Sequence, residues 1–596
     1  MKTKTTNANK GGNFIIKTTS PEDVFSPEDF TEEQQMMKEA VVEFVDREIW
    51  PQKARFEQKD YALTEALMKK AGNLGFLCVG VPETYGGMGM NFVSTMLVCD
   101  YISGATGSFS TAFGAHTGIG TLPILLYGTE EQKQEYVPKL ASGEWIGAYC
   151  LTEPSAGSDA NSGKTKAVLS EDGTHYLISG QKMWISNAGY ANIFTVFARI
   201  EEDKNITGFI VPNDPENGIT LGEEEHKLGI HASSTRQVFF NETKVPIENM
   251  LAQRGEGFKI AINTLNVGRI KLGVACLEAQ RRTISAAVQY ANERIQFKTP
   301  IAQFGAIKEK IARMATQCFT GESACYRAAH EIDKAIQNYE AQGMSLYESE
   351  LKAYEEFAIE SSIIKVACSE AVQNCADDGI QIFGGMGFSA DTPMEAAWRD
   401  ARIGRIYEGT NEISSMLAVG MLMKKGLKAQ LPLMESIMQA AVAIGNNENK
   451  EDHSTLGQET VLIQNSKIIF LTLLGNAMQT YQKELEDQQQ LLLALANILI
   501  EIYMAESALL RTQKIIAQEK TAKESILAMA QLQVYEATDK IRAQAKKIVA
   551  ALYQGNNQKQ LVLAIEKKLD YEELPDILSL KTCIADEVIA ANQYCF

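Results

Sequence analysis

The chain has 596 residues, 45% of them hydrophobic and 22% charged, and a formal net charge of −18. That length implies several domains around one or more large cores. The acidic balance disfavours a nucleic-acid partner or adhesion to an anionic membrane surface, since both need concentrated Lys and Arg.

The ten cysteines show no C-x-x-C pair and no Cys/His metal spacing. Cys78, Cys99, Cys276 and Cys368 lie among apolar neighbours and read as small core residues of a reducing compartment. The opening MKTKTTNANKGG is basic and polar, without the apolar stretch of a secretory signal. Residues 1–25 are therefore expected to be a flexible tail of a cytoplasmic, bacterial protein.

The first helix starts at a capping box, Thr31-Glu-Glu-Gln34, followed by Met36, Met37, Val41, Phe44 and Val45 at helical spacing. Ser20-Pro21 and Ser26-Pro27 are further start signals. Helical periodicity continues to about residue 141, broken by the loop VPETYGGMGM at 81–90, which gives a helical domain over 26–146. Residues 147–252 change character. Short β-branched runs at 176–178, 193–198 and 237–240 alternate with EDGT and NDPENG turns, a sheet domain. Helical periodicity returns over 253–426. A linker is expected over 427–457, with the polar stretch 446–454 at its centre, and a further helical domain over 458–596. The fold class is therefore mainly α with a central β domain. No uninterrupted apolar run reaches the ~20 residues needed to span a bilayer; the longest, 491–500, stops at Glu501.

Three segments carry the chemistry: YCLTEPSAGSD at 149–159, KMWISNAG at 182–189 and RIGRIYEGTNEI at 402–413. Singly they mean little, because a Glu before Gly is most often a solvated helix end and Trp184 alone would be a core aromatic. GGMG at 86–89 and 384–387 lacks the strand–loop–helix context of a dinucleotide fingerprint. In this order, however, the three segments resemble the acyl-CoA dehydrogenase family. The resemblance spans about 25–425. The extension beyond it, with FGAHTGIGTLPILLYGT and TLNVGRI, is most similar to the very-long-chain subgroup.

The resemblance implies a helical domain, a middle β domain, a four-helix bundle and an additional helical domain, with FAD as cofactor. Along the flavin it implies Tyr149, Leu151 and Thr152, with Thr152 hydrogen-bonding the ring. Ser158 would reach phosphate or pantetheine, Trp184 would cover one flavin face beside Ile185, and Ser186 would donate near N5. Such donors tune the flavin's potential. ERIQF at 293–297 would bring Arg294, Gln296 and Phe297 to the pyrophosphate of a neighbouring subunit's flavin. Gln381, Ile382, Gly384 and Gly385, with Thr410, Asn411 and Glu412, complete the implied contacts.

Glu408 falls at the family's catalytic base. A carboxylate shielded by apolar groups becomes a stronger base, as removal of a thioester α-proton requires. The thioester oxygen would be held by the Glu408 N–H and a flavin hydroxyl, and the β-hydride would pass to N5. Some relatives carry the base earlier, before an arginine; the matching NVGR at 266–269 has no carboxylate. Tyr407, Gly409, Asn266 and Arg269 are expected around the substrate, with Arg269 at the CoA end. Small residues Gly114, Ala115, Gly118 and Gly120 would leave room for a deep acyl tunnel, or allow tight helix packing.

The resemblance further implies long-chain acyl-CoA, an electron-transferring flavoprotein as acceptor, and a homodimer whose extension covers the surface of the usual tetramer. That extension has mixed charges and is expected to pack on the core, with at most peripheral membrane association. Two departures stand out: Lys298 where the family has Gly, and an acidic insertion at about 331–356, expected as a surface feature. His116 reads as a satisfied helix histidine, His226 and His231 lack metal spacing, and no Gly-x-Ser-x-Gly is present. An acyl-CoA oxidase passing electrons to oxygen shares the fold; the sequence lacks a peroxisomal terminal tripeptide, which points away from it. A non-catalytic flavoprotein scaffold is the third reading, disfavoured by an intact Glu408.

Overall fold

The computed structural model describes residues 9–446, 452–519 and 523–596. The expected capping box forms. The Gln34 N–H donates to Thr31 Oγ1 at 3.2 Å, and Gln34 Oε1 accepts from the Thr31 N–H at 3.0 Å, starting the helix Glu32–Phe44. The helical N-terminal domain that follows ends with Glu130–Ala141. A sheet takes over at Gly147, where strand Gly147–Cys150 lies parallel to Ile193–Ile200 with Tyr149 beside Thr195. The long strands His175–Ser186 and Thr235–Pro246 pair antiparallel across the other part of the sheet. Buried Phe194, Phe209, Phe240 and Val196 form its core.

Three long helices, Gly257–Glu293, Gly305–Ala341 and Ala358–Phe383, with Asn411–Leu427, form the bundle. Helices Gly457–Tyr481, Gln489–Glu519, Glu524–Leu552, Gly555–Lys568 and Ile577–Ala591 make up the extension. Its apolar residues, including Phe470, Leu495, Leu499 and Tyr503, join one core cluster with bundle residues such as Ala328, Ile332 and Val419.

Four expectations need correction. The tail is ordered from residue 9: Phe14 and Ile15 are buried, Phe14 packs edge-on against Tyr503 with ring centroids 4.7 Å apart, and the Gly12 N–H donates to Glu360 at 2.6 Å. Two apolar side chains in a polar stretch are too weak a pattern to read from sequence, and residues 1–8 lie outside the described residues. The expected linker contains the helix Leu433–Ala443, whose Leu433 and Ile437 are buried; residues 447–451 of its polar stretch lie outside the described residues. The insertion is exposed around its turn at 340–348 but is more than a surface feature: it forms a helix hairpin with one buried face. Asp333 accepts the N–H groups of Phe92 and Val93 at 2.7 and 3.0 Å, capping the helix Phe92–Ile102, and Leu346–Glu356 buries Ala353 and Tyr354. Finally, three helices are long and apolar enough to cross a membrane by length and composition: Gly257–Glu293, Gly457–Asp487 and Gln489–Gln518. Scattered polar residues hide this from a search for unbroken runs. Between 67% and 83% of those apolar windows is buried against the protein itself.

Candidate active site

The Gly257–Glu293 helix supplies one wall of the site and the turn between 405 and 411 the other. Glu408 and Gly409 both have left-handed backbones, φ 58° and 86°, so the chain reverses sharply before Thr410 caps the helix Asn411–Leu427. A non-glycine residue pays for that conformation and persists there only where its surroundings hold it. Arg269 and Lys365 hold it here. The Arg269 Nε donates to the Glu408 carbonyl at 3.2 Å and its guanidinium to Asn266 Oδ1 at 2.7 Å. The Lys365 ammonium donates to the Gly409 carbonyl and to Asn411 Oδ1, each at 2.7 Å.

The carboxylate so positioned faces Gly268, where an added Cβ would lie 2.5 Å from Glu408 Oε2. Only glycine leaves the acid that space. Oε2 is buried without a hydrogen-bond partner. Burial pushes the Glu408 acid up to about 7, against the opposing charges of Arg269, Lys365 and Lys271. The Glu408 N–H also has no acceptor among the described residues. Glu408, Tyr407, Gly268 and Ser186 line a cavity of about 550 Å³ that extends past Gly114 and Ala115 to Trp50 and Arg282. Its size is that of a ligand site.

The two loop segments meet beside that cavity. The Met183 N–H donates to the Thr152 carbonyl at 3.0 Å, and buried Lys182 donates to the Leu151 carbonyl at 3.1 Å and to Glu153 at 2.7 Å. Pairing of the strand shifts register between Lys182 and Ile185; such a bulge re-aims side chains. Trp184 sits in it with φ 60° and an indole 53% exposed, while Ile185 turns into the core. An outward aromatic plate beside a cavity containing Ser186 and an unpartnered acid fits a planar heteroaromatic ring, so these residues suit a flavin. Tyr149 is buried with its ring on Phe197 and its hydroxyl unpartnered, Leu151 is in the core and Ser158 is exposed.

Other expected contacts are placed differently. Arg269 and Asn266 are buried and spend their polar atoms on each other and on the Glu408 carbonyl. They are positioning groups, and Arg269 is not at an exposed CoA end. Asn411 is likewise enclosed by Lys365, Ser369 and Glu370, while Thr410 caps its helix and Glu412 is exposed. Arg294, Gln296 and Phe297 (89% exposed) lie on a hairpin beyond the Gly257–Glu293 helix. At 1.5 Å per residue that hairpin is about 37 Å along the helix from Gly268. Gln381, Gly384 and Gly385 are exposed too, with Ile382 buried, and none of this group lines the Glu408 cavity. Lys298 has φ 66°, which explains why glycine suits that position. His116 is satisfied as expected, with Nε2 3.0 Å from the Leu140 carbonyl and Nδ1 accepting from the Gly147 N–H at 3.1 Å. His231 pairs with Glu57. Among the described residues no group of acidic, His or Cys side chains could hold a metal.

Sequence reading missed Lys182, Glu153, Lys365 and Lys271. A lysine flanked by apolar residues is a local signal for Lys271 and Lys365; Lys182 and Glu153 carry none.

Comparison with known proteins bears on the same segments. Models of the acyl-CoA dehydrogenase N-terminal, middle and C-terminal domains match residues 31–144, 148–243 and 255–421, and a further acyl-CoA dehydrogenase C-terminal model matches 465–568. A probable acyl-CoA dehydrogenase of Bacillus subtilis (strain 168) is 39% identical over 598 residues, covering 100% of both chains. The human mitochondrial very long-chain specific acyl-CoA dehydrogenase is 36% identical over 75% of this chain and 69% of its own. The crystal structure of a Bacillus anthracis acyl-CoA dehydrogenase complexed with FAD superposes with TM-score 0.95 at 37% identity, covering 99% of this chain and 100% of that one. With the fold and the extra helical domain in agreement, the chain belongs to the acyl-CoA dehydrogenase family of FAD-dependent oxidoreductases.

Proposed function

We propose that this protein dehydrogenates long-chain acyl-CoA at the α,β bond to the trans-2-enoyl-CoA, with Glu408 as base. One observation carries the reading: a buried Glu408 Oε2, unpartnered among the described residues, in the wall of a cavity of about 550 Å³. Burial raises the basicity of the acid while Arg269 and Lys365 fix its backbone, so the carboxylate meets a bound chain without reorganising. The Glu408 N–H, without an acceptor among the described residues, is available to donate to the thioester oxygen as negative charge builds there. The α-proton then moves to Glu408. Bound FAD, held by Thr152, Ser158, Trp184 and Ser186, would accept the β-hydride.

Open space at Gly114 and the likeness to a very long-chain enzyme support long-chain use. The ~37 Å between Gly268 and the Arg294 hairpin supports a cofactor shared between two copies, with Arg294, Gln296, Gln381 and Gly384 serving the other copy's FAD; that makes a homodimer. An electron-transferring flavoprotein is the acceptor in this reading, and the full-length Bacillus match supports a bacterial cytoplasmic protein. Anaerobic titration with hexadecanoyl-CoA tests the base. Wild type should bleach its flavin. Glu408→Gln should keep FAD and lose bleaching, and unchanged bleaching would refute the assignment.

A further inference from the structure

Lys271 lies on the Gly257–Glu293 helix three residues beyond Gly268, on the face that meets Glu408. It is 5% exposed. Among the described residues its ammonium has one hydrogen-bond partner, Thr117 Oγ1 at 2.7 Å. No carboxylate lies within ion-pair distance among the salt bridges of those residues, and Thr117 donates its own proton to the Phe113 carbonyl at 2.9 Å. An ammonium has three donors, so two are unspent. They lie in the partition between two cavities: Lys271 lines the acyl cavity and also a second one, about 460 Å³, bounded by Thr117, Thr121, Val267 and Tyr354. The nearer charges are arranged differently. Arg269 and Lys365 line neither cavity and each spends two donors on a backbone carbonyl and an Asn side chain, whereas Lys271 faces open volume on two sides. The lysine stem packs 3.8 Å from the place a Cβ would take on Gly118, which leaves the side chain room to turn.

A plain hydrocarbon chain filling this cavity would expel water and leave two charged donors unmet, a heavy penalty in a buried site. An oxygen on the chain would meet them. Sites built to hydrogen-bond a substrate group discriminate strongly against analogues lacking it, because their own polar atoms are then stranded. We propose that Lys271 is a specificity-determining residue that selects acyl-CoAs whose chain carries an oxygen acceptor, a hydroxyl or a carboxylate, beyond the reacting carbons. The inference rests on the dehydrogenase reading of the same cavity and names its substrate class.

The test compares kcat/KM of the FAD-loaded protein for hexadecanoyl-CoA, for hexadecanoyl-CoAs bearing one hydroxyl at successive carbons beyond the β-carbon, and for the ω-carboxy analogue. The hydroxyl series and the ω-carboxy compound distinguish the two oxygen sources. Wild type should favour at least one oxygenated substrate by about tenfold or more. Lys271→Met should abolish or reverse that preference; because Lys271 also favours the ionised Glu408, the readout is the ratio between substrates and not the rate with hexadecanoyl-CoA. Thr117→Val, which keeps the volume but strips Lys271 of its partner, should widen the preference. Equal preference in wild type and both variants overturns the inference. So does a Lys271→Met enzyme in which only the chain-length profile moves, since Lys271 would then be a spacer. If no acyl-CoA bleaches the wild-type flavin, the dehydrogenase reading falls and takes this one with it, whereas bleaching without preference defeats this inference alone.

Discussion

An acid with one oxygen buried and unpartnered is held off its ordinary behaviour by two opposed effects, and at Glu408 their balance is visible. Burial favours the neutral form; Arg269, Lys365 and Lys271 favour the charged one, and the acid settles at about 7. The sign follows directly. A carboxyl raised by the fold contributes stability that is present below the ordinary carboxylate range and is lost as pH rises through about 7. Catalysis runs the other way, because only the ionised form can take the α-proton. The kcat/KM of the free enzyme should therefore climb about tenfold per pH unit on the acid side and level off above the neutral range. A pH–rate profile that is already flat at pH ~5 would place the base elsewhere. Gly268 belongs to the same balance, since any side chain there would displace the carboxylate.

At the level of elements, the sheet and the helices follow from local signals, but the contacts that fix the site do not. The strands at 176–178, 193–198 and 237–240 were legible because β-branched residues alternate between turns, and Thr31 announced its own helix. Glu408 and Trp184 were legible because each sits in one of three short segments whose order along the chain is distinctive, though none of them is on its own. Lys182 and Glu153 were not, since a buried pair 29 positions apart leaves no periodic trace; nor did the sequence show that Arg269 turns inward. That pair joins the two loop segments. Glu153 also accepts from the N–H groups of Lys164 and Thr165 at 2.5 and 3.1 Å. Lys182→Met would leave this carboxylate buried and uncompensated, at a cost of about 3–5 kcal/mol. The expected result is a lower melting temperature and a lower flavin-to-protein absorbance ratio. Removing both charges, as Lys182→Met with Glu153→Leu, should restore part of the stability. If the single variant keeps full flavin, the pair does not hold the two loop segments together.

For the whole molecule, the question is what attaches the extension to the bundle. Apolar packing is extensive, with Leu495, Leu499 and Tyr503 in the shared core, and the apolar helix windows that could suit a membrane are mostly covered by it. Charges cross the same boundary. Glu506 of the extension accepts from Arg327 of the bundle at 3.1 Å and pairs with Lys467, which in turn donates to the Lys17 carbonyl at 3.0 Å in the N-terminal stretch. All three charged side chains are buried. Such a network adds less to stability than its geometry suggests, because desolvation offsets attraction, yet breaking it strands whatever charge remains. Among the described residues, Glu506→Gln would leave Arg327 with Glu331 at 3.7 Å as its one carboxylate, beside the hydroxyls of Ser507 and Thr19, and Lys467 with no carboxylate. It should cost about 3–5 kcal/mol and loosen the extension before the bundle. The measurement is limited proteolysis with a thermal melt, in which the variant should release a C-terminal fragment at temperatures where wild type stays intact. Lys540→Met, which breaks a partly exposed pair with Glu501 inside the extension, is the control and should change stability by less than about 1 kcal/mol. If Glu506→Gln melts and digests like that control, the apolar interface alone attaches the extension, and the buried charges serve only to fix its orientation.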